Sequence, residues 1–270
     1  MIVFTDVRFE YPGAHDPALD GVSLTIAPGE RVAVVGANGS GKSTLARLAN
    51  GLLTPSSGSV LVDGMNTSDE GTVFDVRRTV GLVLQNPDNQ IVGTVVEEDV
   101  AFGPENLGVA HAELRERVDA AIAAVGLTGL ERREPHLLSE GQKQRLAIAG
   151  ALAMRPAYLV LDEPTAMLDP AGRAAVLDVL DRLAEEGHGI CHVTHDMSEA
   201  IRADRVVALD RGAIAFVGEP DELLADAELM ERLDLEPPAL SVVAAVLREQ
   251  GFPMPAAPTA RELVEALWHS

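Results

Sequence analysis

Residues 31–43 read Arg31-Val-Ala-Val-Val-Gly36-Ala-Asn-Gly-Ser-Gly-Lys42-Ser43, a short apolar run that passes directly into a glycine-rich segment. The apolar run predicts a buried strand, and residues from about 42 to 50 predict a helix. A strand, a G-x-x-x-x-G-K-S loop and a helix in this order are typical of a phosphate-binding loop. Glycines let backbone N–H groups turn towards phosphate oxygens without a side-chain clash. The stretch therefore predicts the core of a phosphate-loop NTPase.

Lysine is rare in this chain, and its placement supports the same interpretation. The 21 basic residues include only two lysines, Lys42 and Lys143, and one of them closes the glycine-rich loop. Lys42 is suited to contact the outer phosphates of a nucleotide, and Ser43 can offer its hydroxyl to Mg²⁺. The predicted ATP-binding residues of the loop are Gly36, Ala37, Asn38, Gly39, Ser40, Gly41, Lys42, Ser43 and Thr44.

The composition is that of a globular chain and excludes several classes of protein. Of 270 residues, 47% are hydrophobic and 23% are charged. The formal net charge is −21, and so acidic a body repels phosphate backbones, so we expect no nucleic-acid partner. The single cysteine, Cys191, excludes an internal disulfide and a cysteine-rich zinc site. We expect Cys191 to be a small buried hydrophobic residue, and the chain to be cytosolic or independent of an oxidising compartment.

Neither a membrane span nor a secretory signal is expected from the sequence. The longest apolar runs, such as Leu146 to Met154, fall well short of the ~18 residues needed to cross a bilayer. The first residues lack a basic segment followed by an apolar stretch. If the protein serves a membrane, we expect it to do so as a peripheral subunit.

Further apolar runs predict a parallel sheet that is covered on both faces. They lie at 80–84, 158–161, 189–193 and 205–209. Helical patterns alternate with these runs, and the clearest begins after Asp169-Pro170, so the fold class is α/β. Three other short segments, broken by Gly and Pro, predict a small antiparallel sheet beside the parallel one. These segments lie at 3–6, 22–26 and 59–63.

The remaining segments are predicted to be helical. Residues 110–154 are expected to be mostly helical, and the composition shifts after about Gly218, where proline pairs punctuate the chain. Three short helical stretches are predicted there, near 221–233, 239–250 and 259–268.

Two predicted strands end in residues suited to phosphate chemistry. Asp162 and Glu163 follow the run at 158–161, and His195 follows the run at 189–193. Ligands of a parallel sheet sit at the carboxyl ends of its strands. Asp162 can therefore hold Mg²⁺ through water, Glu163 can polarise an attacking water, and His195 can donate to a γ-phosphate oxygen.

The chain resembles the nucleotide-binding subunit of ABC transporters over roughly residues 1–218. Between Lys42 and Asp162 lies an insertion that contains Leu138-Ser-Glu-Gly-Gln142, which is similar to the signature motif of that family. The resemblance implies a phosphate-loop core with a parallel sheet, a small antiparallel β subdomain and an inserted helical subdomain at about 86–155. Residues 219–270 would form a short C-terminal helical extension.

The resemblance also implies roles for individual residues. Tyr11 would stack on adenine, Gln85 would join the Mg²⁺ site to the helical subdomain and contribute to catalysis, and His195 would be the switch histidine. The resemblance implies a dimer with two ATP molecules between its subunits, each ATP also contacted by the opposite subunit. The residues implied to contact the opposite subunit's ATP are Ser139, Gly141, Gln142 and Asp169.

Each of these residues also has a purely structural interpretation. Tyr11 could be a packed aromatic at a turn, Gln85 a surface amide, and Ser139 simply a helix cap. The signature itself departs from the usual Leu-Ser-Gly-Gly-Gln, since Glu140 replaces the first glycine. A carboxylate near a γ-phosphate is unfavourable unless it points away, so this departure predicts a weaker site.

A narrower resemblance points to the energy-coupling factor (ECF) class of ABC ATPases. It rests on Gln85-Asn-Pro-Asp-Asn-Gln90 and on Thr94-Val-Val-Glu-Glu-Asp-Val-Ala-Phe-Gly103. The class serves vitamin and cobalt or nickel uptake, and its ATPases pair with each other, with a transmembrane coupling subunit and with a membrane substrate-capture subunit. The resemblance implies a Mg²⁺-dependent ATPase, peripheral on the cytoplasmic face of the cell membrane, that energises a micronutrient importer. The acidic residues Glu97, Glu98 and Asp99 suit arginines of the coupling subunit, or form a solvated helix end.

Two other functions are compatible with the motifs. One is the ATPase of a conventional ABC importer or exporter, which would lack the pattern at 85–103. The other is a soluble ABC ATPase acting on DNA or ribosomes, which the single cassette and the net charge of −21 disfavour. The pairing could be a homodimer or a pair with a related ATPase.

Overall fold

The computed structural model describes residues 1–268 and contains two β-sheets with helices packed around the larger one. The strands are β1 (Ile2–Phe9), β2 (Leu19–Ile26), β3 (Arg31–Val35), β4 (Ser57–Val62), β5 (Met65–Asn66), β6 (Val80–Val83), β7 (Tyr158–Asp162), β8 (Gly189–Val193), β9 (Arg205–Asp210) and β10 (Ala213–Gly218). The α/β fold predicted from the sequence is confirmed.

The larger sheet has the order β10-β9-β3-β8-β7-β6. Its strands run parallel except β10, which is antiparallel to β9. Each apolar run that predicted a parallel strand is found in this sheet. Strand β6 ends one residue earlier than predicted, because the Leu84 N–H donates to the Gln90 side-chain Oε1 at 2.6 Å instead of to a neighbouring strand.

The smaller sheet is antiparallel and has the order β2-β1-β4-β5. Strand β1 lies between β2 and β4, and its Ile2 pairs with Ile26 of β2 and with Val62 of β4. Its apolar face packs on the larger sheet, where Phe4 and Val60 join Val34 in one buried cluster. The antiparallel sheet predicted beside the parallel one is thus confirmed, with longer strands than the sequence indicated.

Both faces of the larger sheet are covered, as its strand sequences predict. Along β7, Val160 faces the cluster shared with the smaller sheet, whereas Leu159 and Leu161 face a second cluster. That second cluster contains Leu146 and Ile148 from the second half of a helix, where residues 146–149 and 151–153 are all buried.

The helices are α1 (Lys42–Ala49), α2 (Val73–Thr79), α3 (Val96–Asn106), α4 (His111–Ala124), α5 (Glu140–Ala153), α6 (Pro170–Glu185), α7 (Met197–Ala200), α8 (Pro220–Ala225), α9 (Ala227–Arg232), α10 (Ala239–Glu249) and α11 (Ala260–Trp268). The single stretch predicted at 221–233 is wrong: it is two helices, α8 and α9. Asp226 separates them, because its side chain accepts the Leu229 N–H at 2.9 Å and caps α9. Residues 269 and 270, the last two of the predicted extension, lie outside the described residues.

The segment at 110–154 is mostly helical, as predicted. Helices α4 and α5 account for most of it, but residues between them form loops and a 3-10 turn at Pro135–Leu137. The single cysteine lies in β8 and is buried, as expected. Burial raises the pKa of the Cys191 thiol to about 12, so the thiol stays protonated at neutral pH.

Candidate active site

Loops that carry the predicted functional residues meet at one edge of the larger sheet. They follow β3, β8, β7 and β6, which are parallel neighbours in that order. Because the carboxyl ends of parallel strands lie at the same edge, the loops that follow them converge. The arrangement gathers the glycine-rich loop with Gln85, Asp162, Glu163 and His195.

The glycine-rich loop encloses the Lys42 ammonium group. Lys42 Nζ donates to the carbonyl oxygens of Gly36 at 2.8 Å and Ala37 at 3.0 Å, and the side chain is buried. Burial lowers the pKa of Lys42, while the nearby carboxylates of Glu163 and Asp162 act in the opposite direction. The loop therefore concentrates positive charge at one point of a strongly acidic chain.

Two positions in this loop require glycine. Gly36 has φ +140°, and a Cβ there would lie 2.2 Å from the Leu209 carbonyl oxygen. Gly41 has φ +105°, and its Cβ would lie 2.4 Å from the Ala18 carbonyl oxygen. Inside the loop, Ser40 Oγ is buried and has no hydrogen-bond partner among residues 1–268. This unpartnered hydroxyl fits a loop whose polar groups face a phosphate.

Ser43 and Asp162 form a pair of oxygen ligands beside the loop. Ser43 Oγ donates to Asp162 Oδ1 at 2.7 Å, and Arg47 Nη2 lies 3.8 Å from the other carboxylate oxygen. Burial raises the pKa of Asp162, against the effect of Ser43, Arg47 and Lys42. A hydroxyl and one carboxylate, completed by phosphate oxygens and water, is a donor set that suits Mg²⁺.

Glu163 stands between Gln85 and His195. Gln85 Nε2 donates to Glu163 Oε2 at 3.2 Å, and His195 Nδ1 lies 3.6 Å from Oε1. The backbone of Glu163 has φ +48°, a conformation that is rare outside glycine, and its N–H donates to the Val193 carbonyl at 2.9 Å. This conformation is held by the neighbouring strand and presents the carboxylate at the sheet edge.

Tyr11 lies against the same loop through its hydroxyl. Its OH and Thr44 Oγ1 are 3.1 Å apart, and its ring packs edge-on against Phe9 with centroids 4.8 Å apart. The packed aromatic predicted as a structural alternative is therefore present. The ring is also partly exposed, which leaves a face available for stacking.

The signature residues lie at the beginning of α5, next to the beginning of α6. Ser139 Oγ accepts the Gln142 N–H at 3.3 Å and Gln142 Oε1 accepts the Ser139 N–H at 3.0 Å, so the predicted helix cap is found. A Cβ on Gly141 would lie 3.0 Å from the Gly172 Cα, so the two helices touch there. Asp169 accepts the Gly172 N–H at 2.7 Å.

The structure thus brings Ser139, Gly141, Gln142 and Asp169 together with one another. Within residues 1–268 no hydrogen bond joins them to the glycine-rich loop. Their helix N-termini form a second polar surface of the chain, separate from the loop around Lys42.

Glu140 points along its helix towards Lys143. The Glu140 Oε1 lies 3.0 Å from Lys143 Nζ, and the same ammonium lies 3.0 Å from Asp88 Oδ1. These two carboxylates raise the pKa of Lys143. The second lysine of the chain therefore holds the one carboxylate that departs from the usual signature.

The acidic residues at the start of α3 differ in their burial and in their hydrogen-bond partners. Asp99 is buried and accepts the backbone N–H groups of Val92 at 2.7 Å and Gly93 at 2.9 Å. The expectation that Asp99 faces a partner is therefore wrong, because the side chain is used to fold the preceding loop. Glu97 pairs with Arg115 at 2.8 Å, and Glu98 is exposed and accepts from Thr94.

Over residues 1–268, none of the helices combines the length and apolar character needed to cross a membrane.

Known proteins are similar to this chain in sequence and in fold. The family model for ABC transporters matches residues 19–166. The energy-coupling factor transporter ATP-binding protein EcfA1 of Symbiobacterium thermophilum is 57% identical over 252 residues, which cover 93% of this chain and 88% of that protein.

Solved structures are also similar to this chain. The structure of cbiO1 from Clostridium perfringens, part of the ABC transporter complex cbiONQ, has a TM-score of 0.77 at 36% identity, covering 92% of this chain and 98% of that chain. A dimeric ATP-binding cassette in a post-hydrolysis state, bound to ADP and Pi, has a TM-score of 0.73 at 30% identity, covering 82% of this chain and 99% of that chain. The chain therefore belongs to the ABC transporter family and, within it, to the ATP-binding subunits of energy-coupling factor transporters.

Proposed function

We propose that this chain binds Mg²⁺-ATP at the sheet edge and, paired with a second ATPase subunit, powers a membrane importer for a vitamin or a transition-metal ion. The observation that carries the proposal is the convergence of the Lys42 loop, the Ser43–Asp162 pair and the Gln85–Glu163–His195 group. A phosphate cradle, oxygen ligands and a carboxylate suited to a base are the parts that ATP hydrolysis needs.

In this proposal the loop from Gly36 to Thr44 binds the phosphates and Tyr11 stacks on adenine. Ser43 and Asp162 would hold Mg²⁺, and Gln85 would contribute to the same site. The ion would neutralise phosphate charge and orient the terminal phosphate for in-line attack. Lys42 supplies a second positive charge beside the outer phosphates.

Glu163 is proposed as the base that accepts a proton from the attacking water. Its side chain is 13% exposed, so the carboxylate is accessible to water. His195 is 58% exposed and lies beside that carboxylate, where its ring can donate to a γ-phosphate oxygen. Gln85 orients Glu163 from the opposite side through the bond at 3.2 Å.

Ser139, Gly141, Gln142 and Asp169 are proposed to contact the ATP bound by the opposite subunit. The N-terminus of α5, capped by the neutral Ser139, favours an anion, and the separation of these residues from the chain's own loop also supports the proposal. ATP would then be held between two subunits, and its cleavage would remove the contacts that keep them together. We assign this activity to an ATPase domain at 1–218 with a helical subdomain at about 86–155. Residues 219–270 are proposed to add a further contact between the two subunits.

Lys143 is predicted to reduce the effect of Glu140 on that shared ATP. Replacing Lys143 by Gln should raise the KM for ATP by about two- to fivefold, the range expected of a partly exposed ion pair. The same change in a Glu140→Gly background should alter the KM less, since Lys143 then releases only Asp88, which lies outside the signature motif. Steady-state ATPase assays of the wild type, the two single variants and the double variant measure this coupling, and equal effects in both backgrounds would contradict it.

A groove between the sheet and the helical subdomain is proposed to receive the coupling helices of a transmembrane subunit. The cavity measures about 570 Å³ and is lined by Phe74, Arg77, Leu84, Gln90, Phe102 and Met154. Phe74 and Phe102 are exposed. A groove with exposed apolar side chains suits the apolar face of an amphipathic helix.

Replacing Phe102 by Asp is expected to abolish co-purification with the membrane subunit while ATP binding persists. A charge in the groove would have to lose its water on docking, and this desolvation opposes binding of the partner. The matched control is Val217→Asp, which places the same charge on an exposed apolar position of β10. Quantitative pull-down from membranes measures both variants, and equal recovery of the partner with either would remove the groove from the proposal.

The function as a whole is tested by gentle purification of the tagged chain from membranes. We expect a second ATPase subunit, a transmembrane coupling subunit and a small membrane capture protein to be identified by mass. The complex should hydrolyse ATP in a Mg²⁺-dependent manner. Recovery of the chain alone, or with nucleic acid, would contradict the proposed peripheral location on the cytoplasmic face of the membrane.

A further inference from the structure

A buried carboxylate lies behind the proposed active site and has no part in the mechanism above. Glu199, on α7, is 1% exposed and belongs to none of the motifs that identified the family. An ionised side chain at such depth is unfavourable unless its oxygens accept hydrogen bonds. Its partners therefore show what the charge is used for.

Each carboxylate oxygen of Glu199 accepts from a different threonine. Thr165 Oγ1 donates to Oε1 at 2.7 Å, and Thr194 Oγ1 donates to Oε2 at 2.9 Å. His192 Nε2 lies 3.3 Å from Oε2, and Arg173 Nε lies 3.7 Å from Oε1. Burial acts to raise the pKa of Glu199, but the contacts with His192 and the two threonines outweigh it and lower the pKa to about 2.

The two threonines belong to the segments that carry proposed catalytic and partner-contacting residues. Thr165 follows Glu163 closely, and its carbonyl accepts the Leu168 N–H at 3.1 Å in the turn that leads to Asp169. Thr194 immediately precedes His195, and its N–H donates to the Val34 carbonyl at 3.1 Å. The carboxylate therefore joins the segment from Glu163 to Asp169 to the loop that carries His195.

Arg173 adds a third element to the same junction. It lies in the first turns of α6 and donates to Asp196, while the Asp196 N–H donates to Thr194 Oγ1 at 3.0 Å. Helix α6, the loop after β7 and the loop after β8 thus share one buried polar network. Within residues 1–268, no hydrogen bond joins the side chains of Glu199, Thr165 or Thr194 to the glycine-rich loop.

We propose that Glu199 is a positioning residue for ATP hydrolysis, whose two oxygens fix the spacing between the His195 loop and the segment from Glu163 to Asp169. The proposal rests on the function proposed above for those residues. A carboxylate is rigid and its two oxygens accept in fixed directions, so two donors bound to it cannot move independently. Small displacements of catalytic groups lower the rate of chemistry more than they lower substrate affinity.

Stability alone is a poor explanation for this network. Buried ionic groups contribute little net stability compared with apolar residues of similar volume, because their desolvation offsets the attraction. What the network provides is a defined geometry between three chain segments. A positioning role therefore predicts that kcat changes while the KM for ATP does not.

The experiment compares the wild-type complex, purified with its partner subunits, with Glu199→Gln, Thr165→Val and Thr165→Ser. In glutamine one oxygen becomes an NH₂ donor, so one threonine hydroxyl loses its acceptor. Valine removes the hydroxyl while keeping the shape, and serine restores it. We expect kcat to fall about tenfold or more for Gln and Val, with the KM for ATP within twofold, and to recover for Ser.

The outcomes separate the inference from the function on which it rests. A wild-type complex without ATPase activity contradicts the proposed function itself. An active wild type with unchanged kcat in Thr165→Val contradicts the role of Glu199, as does a loss that serine fails to restore. If Glu199→Gln does not fold, Thr165→Val and Thr165→Ser decide the question. The melting temperatures of these two variants, compared with that of the wild type, show whether they are folded.

Discussion

Replacement of Glu163 by Gln is expected to reduce ATP turnover by about 10²- to 10⁴-fold, the range that a general base contributes. The carboxylate lies between Gln85 and His195 and is the acid group best placed to receive a proton from water. Glutamine keeps the shape and the bond from Gln85 but cannot accept that proton. ATP should still bind, since the loop around Lys42 is untouched.

The same substitution is expected to keep the ATP-bound pair of subunits closed. Removing a negative charge beside the γ-phosphate lessens repulsion, and without cleavage the contacts across the pair persist. Steady-state phosphate release and ATP-dependent size-exclusion chromatography measure the two effects. Glu185→Gln, an exposed change at the end of α6, is the matched control and should behave as wild type. Brisk hydrolysis by Glu163→Gln would reject the assignment of the base.

Replacement of Lys42 by Ala is expected to weaken ATP binding by at least about thirtyfold, because truncating a buried charge that pairs with an anion costs 2–5 kcal/mol or more. Lys42 is the buried cation at the centre of the loop, and its ammonium is held by the carbonyls of Gly36 and Ala37. Alanine would leave those carbonyls without their donor, so some loss of thermal stability is also expected.

Calorimetry with Mg²⁺-ATP measures the affinity, and thermal unfolding reports whether the variant is folded. Arg211→Ala is the control, because it removes one positive charge from a fully exposed side chain at the turn between β9 and β10. The control should bind ATP normally. Unchanged affinity in a folded Lys42→Ala variant would remove the glycine-rich loop from the nucleotide site.

The strands of the larger sheet could be predicted because they are apolar on both faces. Residues 31–35 and 189–193 are buried along their whole length, and short runs of this kind are typical of a covered parallel sheet. Helix boundaries that are set by single side chains were harder to predict from the sequence. The break at Asp226 depends on one capping bond, and the pattern of apolar residues on either side of it continues without interruption.

The positions of the candidate site residues were predictable where a continuous motif directly follows a strand. The loop from Gly36 to Thr44 and the pair Asp162-Glu163 lie as expected at the ends of their strands. Asp99 was misassigned because sequence gives its charge but not its burial. Glu199 was missed because its partners are distant in sequence, and its only local signal is its place four residues after His195.

Cys191 has a practical consequence for following this protein at work. Its thiol is buried in β8 and stays protonated, so we expect it not to react with maleimides in the folded native chain. A reporter dye can then be attached through one cysteine introduced at a chosen exposed position, with no native thiol to remove first. In the proposed pair of subunits, the distance between such dyes can then be followed by fluorescence transfer during ATP turnover.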